Sequence, residues 1–264
     1  MRPKPKKSLG QNFLIDKNIQ RKIVAACGLH LSDNVLEIGP GRGELTRPIA
    51  QNAKKVIAVE IDKFLFSELK QEFKDYKNTK IVNCDILKFD PTKFFSKTDL
   101  INSNIKVVGN IPYYISSPII EHLFKFNKYI DTVFMTVQKE FARRITALPG
   151  SKDYGSLTCF VRYYTEPKIL FLIKKNSFFP IPKVDSCLLR LKILRHPGVA
   201  INDEKLFFKI IRAAFNKRRK TLRNSLEGII PQEKLNNFFD TFNIDCNIRP
   251  EDLSLQNFAD LANK

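Results

Sequence analysis

Residues 34–43 read Asn-Val-Leu-Glu-Ile-Gly-Pro-Gly-Arg-Gly, a short apolar run that ends in three glycines at alternate positions. The run predicts a buried strand over 34–38, and the residues after the glycines predict a helix over 45–51. Glycines allow the backbone to turn sharply and to approach a ligand closely. A tight turn that only packs a helix against a sheet has the same appearance, so the rest of the chain decides between the two interpretations.

Alternating strands and helices extend from this turn in both directions. Apolar runs predict strands over 56–61, 80–83, 106–109 and 131–137, and helical spacing predicts helices over 17–27, 64–73 and 118–126. Short apolar strands separated by helices are typical of a parallel sheet covered on both faces, which indicates a Rossmann-like α/β fold. Strands 168–173 and 186–194 have no helix between them, which predicts an antiparallel hairpin at one sheet edge.

The pattern changes at residues 195–198, which read Arg-His-Pro-Gly, a turn signature. Beyond this turn the apolar residues recur at helical spacing only. We therefore predict two domains: a Rossmann-like domain over 1–197, with a basic N-terminal segment, and a small all-α domain over 198–264.

Net charge gives the first indication of a partner. The chain has 264 residues, with 45 Lys and Arg against 27 Asp and Glu, and a formal charge of +18. Such an excess attracts polyanions and predicts salt-sensitive binding to nucleic acid. The sequence has neither a transmembrane-length apolar run nor a basic amphipathic helix with an exposed aromatic face, so no membrane partner is expected.

Residues 212–223 concentrate the positive charge of the predicted small domain. They include six basic residues and no acid, whereas residues 199–264 as a whole carry a net charge of +2. We interpret the segment as a basic helix that contacts RNA through four residues: Arg218, Arg219, Lys220 and Arg223. A merely solvated helix face is the alternative interpretation.

The five cysteines are scattered, odd in number and without Cys-x-x-Cys spacing. This pattern argues against a disulfide framework or a zinc site and favours a reducing, cytoplasmic location. The three histidines lie in no catalytic setting, so no metal is expected. A monomer is the default expectation.

Two acids follow predicted strands at the same sheet edge as the glycine turn. Glu60 ends the second strand, where a carboxylate can accept hydrogen bonds from both ribose hydroxyls. Asp85 follows the third strand and can reach an adenine amine or a nearby polar group. Because open α/β sheets bind ligands at the carboxyl ends of their strands, these acids and the turn residues Gly39 and Gly41 predict a nucleoside cofactor site.

The composition of the turn favours S-adenosylmethionine over NAD. The spacing is G-x-G-x-G, not the G-x-G-x-x-G of dinucleotide-binding proteins. Glu37 at the turn is unfavourable beside a pyrophosphate but favourable near an amino or sulfonium group. These features disfavour an alternative function as a dinucleotide-dependent oxidoreductase.

The fourth strand runs into Asn110-Ile111-Pro112-Tyr113, which we interpret as the site of chemistry. The exocyclic amine of adenine is a poor nucleophile because its lone pair is delocalised into the ring. The side-chain carbonyl of Asn110 and the backbone carbonyl of Pro112 can accept hydrogen bonds from this amine and favour a more electron-rich nitrogen. This geometry predicts catalysis by positioning and electrostatics, without a covalent nucleophile or a metal.

A base drawn into such a site needs aromatic surfaces on which to stack. Tyr113 offers one face. Phe178, in a Pro-rich segment, is the candidate for the second face, although a core or turn aromatic is an equally good interpretation of this residue.

Five segments together resemble the bacterial 16S ribosomal RNA adenine dimethyltransferases and their eukaryotic and organellar relatives. They span nearly the whole chain and comprise residues 9–14, 37–41, 110–113, 178–186 and 214–226. The resemblance implies cofactor contacts at Asn12, Leu14, Gly39, Glu60, Asp85 and Asn110. It also implies a substrate, two adjacent adenosines in a hairpin loop of 16S rRNA within a small-subunit precursor, and a role in late small-subunit assembly.

Tyr114 departs from the family pattern, because bacterial members often carry asparagine at this position. The rival assignment is the 23S rRNA adenine methyltransferases of the macrolide-resistance type, which use the same chemistry. Segments 183–186 and 215–226 resemble the 16S group more closely. A non-catalytic assembly or transcription factor on the same fold is the remaining alternative, and the intact motifs argue against it.

Overall fold

The computed structural model describes residues 5–101, 105–217 and 220–264, and a seven-stranded sheet is its largest element. The strands are β1 (Phe13–Leu14), β2 (Asn34–Ile38), β3 (Lys55–Glu60), β4 (Thr79–Asn83), β5 (Ile105–Asn110), β6 (Ile130–Gln138), β7 (Thr165–Ile173), β8 (Phe178–Phe179) and β9 (Ser186–Ile193). In the large sheet their order is β4-β3-β2-β5-β6-β9-β7.

The α-helices connect these strands or follow them. They are α1 (Lys17–Cys27), α2 (Thr46–Asn52), α3 (Lys63–Glu72), α4 (Lys97–Ile101), α5 (Ser116–Phe124), α6 (Lys139–Thr146), α7 (Ser156–Tyr164), α8 (Glu204–Asn216), α9 (Leu222–Ser225), α10 (Gln232–Phe242) and α11 (Leu255–Asn263). Within the described ranges, none of them has both the length and the apolar character needed to cross a bilayer.

The large sheet has the predicted mixture of parallel and antiparallel pairing. Strand β2 pairs in parallel with β3 and β5, and the parallel pairing continues outward to β4 and β6. Strand β9 pairs antiparallel with β6, and β7 lies outside β9 as the edge strand. The Rossmann-like fold predicted from the apolar periodicity is therefore confirmed. The two strands predicted without a helix between them, β7 and β9, lie side by side at one end of the sheet.

Local chemistry explains where the first helix begins and ends. The Asp16 carboxylate accepts hydrogen bonds from the backbone N–H groups of Asn18 (2.9 Å) and Ile19 (3.2 Å), which satisfies two donors at the start of α1. The helix ends at Gly28, whose left-handed φ of 52° is favourable for glycine. The predicted bounds of this helix match the observed ones.

A second, two-stranded ladder was not predicted. Strands β1 and β8 pair antiparallel, with Phe13 opposite Phe179 and Leu14 opposite Phe178. This ladder ties the N-terminal segment to the Pro-rich segment that follows β7.

Two compact units divide the chain differently from the prediction. The first unit combines the described residues up to Ala142 with Lys168–Ile193, and the second combines Arg143–Pro167 with the described part of Leu194–Lys264. The predicted boundary assigned residues 143–167 to the first domain. The structure groups them with the C-terminal helices because Cys159 and Tyr163 of α7 belong to the same apolar core as Phe207 of α8.

The basic segment 212–223 is not the continuous helix that we predicted. Helix α8 ends at Asn216, and the short α9 begins at Leu222 after the Thr221 hydroxyl caps it. Arg218 and Arg219 lie outside the described residues. A continuous helix would have placed six cations in about three turns, whereas the described residues Lys217 and Lys220 lie outside both helices.

Candidate active site

A cleft opens at the carboxyl ends of β2, β3, β4 and β5. The empty space in it and at its mouth, open solvent included, is about 1050 Å³, and its lining belongs wholly to the first unit. Of the predicted cofactor and catalytic residues, only Phe178 is absent from its lining. The residues present are Asn12, Leu14, Gly39, Gly41, Glu60, Asp85, Asn110, Pro112 and Tyr113. The sheet edge thus brings together residues that are up to about a hundred positions apart in the sequence, as expected for ligand binding in an open α/β fold.

The N-terminal strap, which we define as residues 6–14, forms one wall of this cleft. Residues 9–14 all line the cleft. The backbone carbonyl of Asn12 accepts a hydrogen bond of 2.8 Å from the side-chain Nδ2 of Asn110. Sequence spacing alone could not place this segment, because its partner in the sheet lies 98 residues away.

The glycine turn approaches the strap so closely that a side chain would displace the Phe13 ring. Gly41 has a φ of +62°, and a Cβ at this position would lie 3.2 Å from a ring carbon of Phe13. The Arg42 guanidinium lies 4.3 Å from the centre of the same ring. The turn therefore requires glycine both for its backbone conformation and for its contact with the strap.

Glu60 lies at the end of β3 and faces the glycine turn. Its carboxylate accepts hydrogen bonds from the backbone N–H of Gly41 (3.2 Å) and of Asp62 (2.9 Å). Burial raises the pKa of Glu60, and these two bonds offset part of the shift. Each carboxylate oxygen retains a lone pair, so the group can still accept from ribose hydroxyls.

Glu37 is a fully buried carboxyl group in the cleft wall. Burial raises its pKa to about 8, the nearby Thr46 hydroxyl offsets part of that shift, and the acidic side chains of Glu44 and Glu60 add to it. No described residue makes a hydrogen bond to Oε2 of Glu37. A buried carboxyl oxygen without a partner costs free energy, which a cationic or hydrogen-bonding ligand group would recover.

Asp85 lies just beyond β4, as predicted. Its Oδ1 accepts a hydrogen bond of 3.0 Å from the backbone N–H of Leu87, which caps a short 3₁₀ turn. This bond fixes the side chain at the cleft while Oδ2 stays available to a ligand donor.

Asn110 and its neighbours form the floor of the cleft. Because Nδ2 of Asn110 donates to the strap, its Oδ1 remains as a hydrogen-bond acceptor. The Tyr113 hydroxyl shares a 2.7 Å hydrogen bond with the hydroxyl of Ser186 at the start of β9. Burial raises the pKa of Tyr113, so this phenol is neutral at ordinary pH. The ring is thereby held by both β5 and β9.

Gly109 precedes Asn110 in the most crowded part of β5. A Cβ at this position would lie 2.6 Å from Cδ1 of Ile111 and 3.0 Å from the carbonyl oxygen of Ile38. Any larger residue would push β5 away from β2 and displace Asn110.

Phe178 does not lie where we expected it. Only 1% of the residue is exposed, it packs in the apolar core with Leu14 and Ile23, and it is absent from the lining of the cleft. The alternative interpretation, a core aromatic, is therefore the correct one in this structure. Its neighbour Phe179 is 51% exposed, since successive residues of a strand face opposite sides.

Tyr114, the departure from the family pattern, lies at the cleft and is 63% exposed. A Cβ on Gly10 would lie 3.0 Å from Cε1 of the Tyr114 ring, so the strap packs directly against this ring. The residue therefore forms part of the contact between the strap and the Asn110 loop.

The predicted RNA-binding residues have different surroundings. Lys220 is exposed. Arg223 donates a hydrogen bond of 2.9 Å to Oδ1 of Asn236, and its guanidinium lies 5.6 Å from the centre of the Phe239 ring. Arg223 therefore also has a structural role within the second unit.

Asp62 contacts two residues of the cleft wall, Gln11 and Glu60, and sequence reasoning missed it. Its carboxylate is buried and accepts hydrogen bonds from Lys6 and Gln11 of the strap and from the backbone of Phe64. Burial alone would raise the pKa of Asp62, but these bonds outweigh it and lower the pKa. The available signal was weak: Asp62 has the sequence position of an N-cap for α3, which predicts a local role only.

The described part of the chain contains no group of three or more acidic, histidine or cysteine side chains arranged to hold a metal ion. By contrast, the cleft fits S-adenosylmethionine. Glu60 matches the ribose, the unpartnered oxygen of Glu37 matches a cationic group, and the glycine turn leaves space for close approach.

Comparisons with known proteins agree on one family. The model of the family described as "Ribosomal RNA adenine dimethylase" matches residues 2–264. A protein of Caldanaerobacter subterraneus named "Ribosomal RNA small subunit methyltransferase A" is 46% identical over 98% of this chain and 97% of its own length. A protein of the same name from Geobacillus thermodenitrificans is 44% identical over 98% of this chain and 90% of its own length.

Solved structures show the same relationship in three dimensions. A dimethyladenosine transferase from Plasmodium falciparum aligns with a TM-score of 0.80 at 27% identity, over 94% of this chain and 95% of its own. The 23S rRNA methyltransferase ErmE aligns with a TM-score of 0.73, also at 27% identity, over 96% of this chain and all of its own. Both neighbours therefore share the fold of this chain over nearly its whole length.

Proposed function

Because the chain belongs to the ribosomal RNA adenine dimethylase family, we propose that it dimethylates the exocyclic amines of two adjacent adenosines in a 16S rRNA hairpin loop, using S-adenosylmethionine. The observation that carries this proposal is the Asn110 side chain. Its amide nitrogen is bound to the strap, which leaves Oδ1 as an acceptor for the amine.

Residues from three strand ends would hold the cofactor. The Glu60 carboxylate would accept hydrogen bonds from the ribose hydroxyls, and Asp85, which also lines the cleft, would contact the adenine end. Glu37 lies near the glycine turn with one oxygen that has no partner, and a cationic group of the bound cofactor would favour its ionised form. Once bound, S-adenosylmethionine supplies an electrophilic methyl group on a sulfonium centre.

Asn110 and Pro112 position the attacking nitrogen. Oδ1 of Asn110 and the backbone carbonyl of Pro112 accept hydrogen bonds from the amine, which concentrates electron density on nitrogen at the moment of attack. The amine nitrogen held by these two acceptors would take the methyl group as its carbon–sulfur bond broke, and it would then release one proton to solvent. Catalysis requires positioning and electrostatics only.

Tyr113 provides the surface for the flipped base. Its hydroxyl is tied to Ser186, so the ring cannot turn away when a base stacks on it. The second round of methylation requires the monomethylated amine to bind with one hydrogen fewer, so one of the two acceptors is then without a partner.

The small-subunit substrate is favoured over the 23S alternative. Relatives named as small-subunit methyltransferases are 41–46% identical to this chain over nearly its full length, whereas the 23S enzyme ErmE is 27% identical. We propose that the substrate is 16S rRNA within a small-subunit precursor and that the enzyme acts as a cytoplasmic monomer. The charge of +18 supports contact with an extended rRNA surface.

The test is methyl transfer from labelled S-adenosylmethionine to purified, undermethylated small ribosomal subunits. Large subunits and naked 23S rRNA are assayed in parallel, and mass spectrometry identifies the modified nucleosides. We expect dimethyladenosine in small-subunit RNA only. Label in 23S rRNA would assign the chain to the resistance group, and tight subunit binding without label would indicate a non-catalytic assembly factor.

A further inference from the structure

The buried carboxylate of Asp62 ties down the first residues of the N-terminal strap. Its Oδ1 accepts from Nζ of Lys6 at 2.8 Å, and its Oδ2 accepts from Nε2 of Gln11 at 3.1 Å. The strap is also closed on itself, because the backbone N–H of Lys6 donates to Oε1 of Gln11 at 2.8 Å. Two hydrogen bonds thus tie the strap to Asp62, one of them from the cleft-lining Gln11, and a third closes the strap on itself.

The same residue supports the cofactor site through its backbone. The N–H of Asp62 donates to Oε1 of Glu60 at 2.9 Å, and Oδ1 of Asp62 also accepts from the backbone N–H of Phe64 at 3.0 Å. Asp62 therefore contacts the carboxylate assigned to the ribose, the start of α3 and the strap.

The far end of the strap reaches the site of chemistry. The Asn12 carbonyl accepts from Nδ2 of Asn110 at 2.8 Å. The NH2 donor and the carbonyl acceptor of an amide side chain lie in one plane, on either side of the bond that joins the amide to the chain, so the Asn12 bond determines which way Oδ1 of Asn110 points. A strap that moved away would allow this amide to rotate and present the wrong group to the amine.

We propose that Asp62 is a positioning residue that holds the strap across the cofactor cleft and, through the Asn12 carbonyl, fixes the orientation of the Asn110 amide. Asp62 itself does not touch the reacting atoms. The inference rests on the proposed function for its catalytic consequence, but the anchoring of the strap can be measured separately.

The main test variant is Asp62→Ser. Serine retains an N-cap oxygen for α3 and the backbone N–H to Glu60, but it is too short to reach Lys6 or Gln11. Asp62→Asn is the second variant, since it keeps the size of the side chain and removes its charge. The matched control is Asp99→Ser, because Asp99 is also buried and also binds an exposed lysine, Lys54, at 2.7 Å. That pair lies at the amino end of β3, away from the cleft.

Two quantities are measured on the full chain. Steady-state methyl transfer gives kcat and KM, and hydrogen exchange of the amides of residues 9–14 is followed with and without S-adenosylhomocysteine. For Asp62→Ser we expect kcat to fall about threefold to tenfold, the size expected for half-exposed hydrogen bonds to a charged group. The KM for RNA should stay within about twofold, and the strap amides should exchange faster in both states.

A double variant tests whether Lys6 acts through Asp62. Adding Lys6→Met to Asp62→Ser should cause no further loss of kcat, because the partner is already gone. Multiplying losses would overturn the proposal, as would an Asp62→Ser variant whose kcat and strap exchange match those of Asp99→Ser. If wild-type protein failed to methylate any rRNA, the proposed function would fail, yet the exchange comparison would still decide whether Asp62 anchors the strap.

Discussion

Replacement of Asn110 by alanine tests the chemistry most directly. The variant loses one partly buried hydrogen bond, the 2.8 Å contact from Nδ2 to the Asn12 carbonyl, which is worth about 1 kcal/mol of unfolding free energy. It also loses the acceptor for the amine. Removing one preorganised hydrogen-bonding group from a reaction centre costs about 100-fold to 1000-fold in kcat, or roughly 3–4 kcal/mol of transition-state stabilisation. The predicted loss of activity therefore far exceeds the predicted loss of stability.

The assay is single-turnover methyl transfer to small subunits under saturating cofactor. Chemical denaturation and calorimetric binding of S-adenosylmethionine are measured on the same preparation. Asn78→Ala is the matched control: the Asn78 side chain donates to the backbone carbonyls of Ala50 (2.8 Å) and Ala53 (3.0 Å), remote from the cleft. We expect this control to lose at least as much stability and to keep its activity.

Near-normal turnover of Asn110→Ala would refute the role of its carbonyl as the acceptor for the amine. A loss that disappeared at high cofactor concentration would also refute it, because the residue would then serve binding alone.

Three further predictions follow from the same structure. Burial raises the pKa of Glu37 to about 8, so the stability that its neutral form contributes is complete below the ordinary pKa of 4.5 and is lost as the pH rises through about 8. In Glu37→Gln without cofactor, the free energy of unfolding measured in urea should therefore decline less between pH 5 and pH 9 than in the wild type. Phe178→Ala should lose about 3–5 kcal/mol of unfolding free energy, and Phe179→Ala much less, as guanidinium titrations can show; equal losses would contradict the assignment of Phe178 to the core. Lys220→Ala should reduce the slope of log K against log salt for rRNA binding by about 1, and an unchanged slope would mean that this lysine makes no phosphate contact.

The central sheet could be predicted because its signal is local. Residues 34–38 form a short run with three apolar residues that ends in glycines, and each helix that follows has its own spacing, so β2 matches the prediction residue for residue. The positions of Glu60, Asp85 and Asn110 at the cleft followed from the rule that ligands bind at the carboxyl ends of parallel strands.

What the sequence did not predict depends on contacts between distant segments. The β1–β8 ladder has two residues per strand, too few to show a period of two. The burial of Phe178 is set by its pairing with Leu14. The role of Asp62 depends on Gln11 and Lys6, which lie 51 and 56 positions earlier in the chain. The basic helix was predicted too long because helical propensity does not reveal where Thr221 starts a new cap.

The position of β9 between β6 and β7 has a consequence for biosynthesis. As the chain leaves the ribosome, β6 and then β7 are synthesised while the strand that separates them is still missing. During this interval β6, a nine-residue strand that is mostly buried in the complete fold, has an unpaired edge that could join a strand of another nascent chain. Completion of Ser186–Ile193 closes this edge through a seven-residue antiparallel register, so truncation before residue 186 should yield aggregating chains.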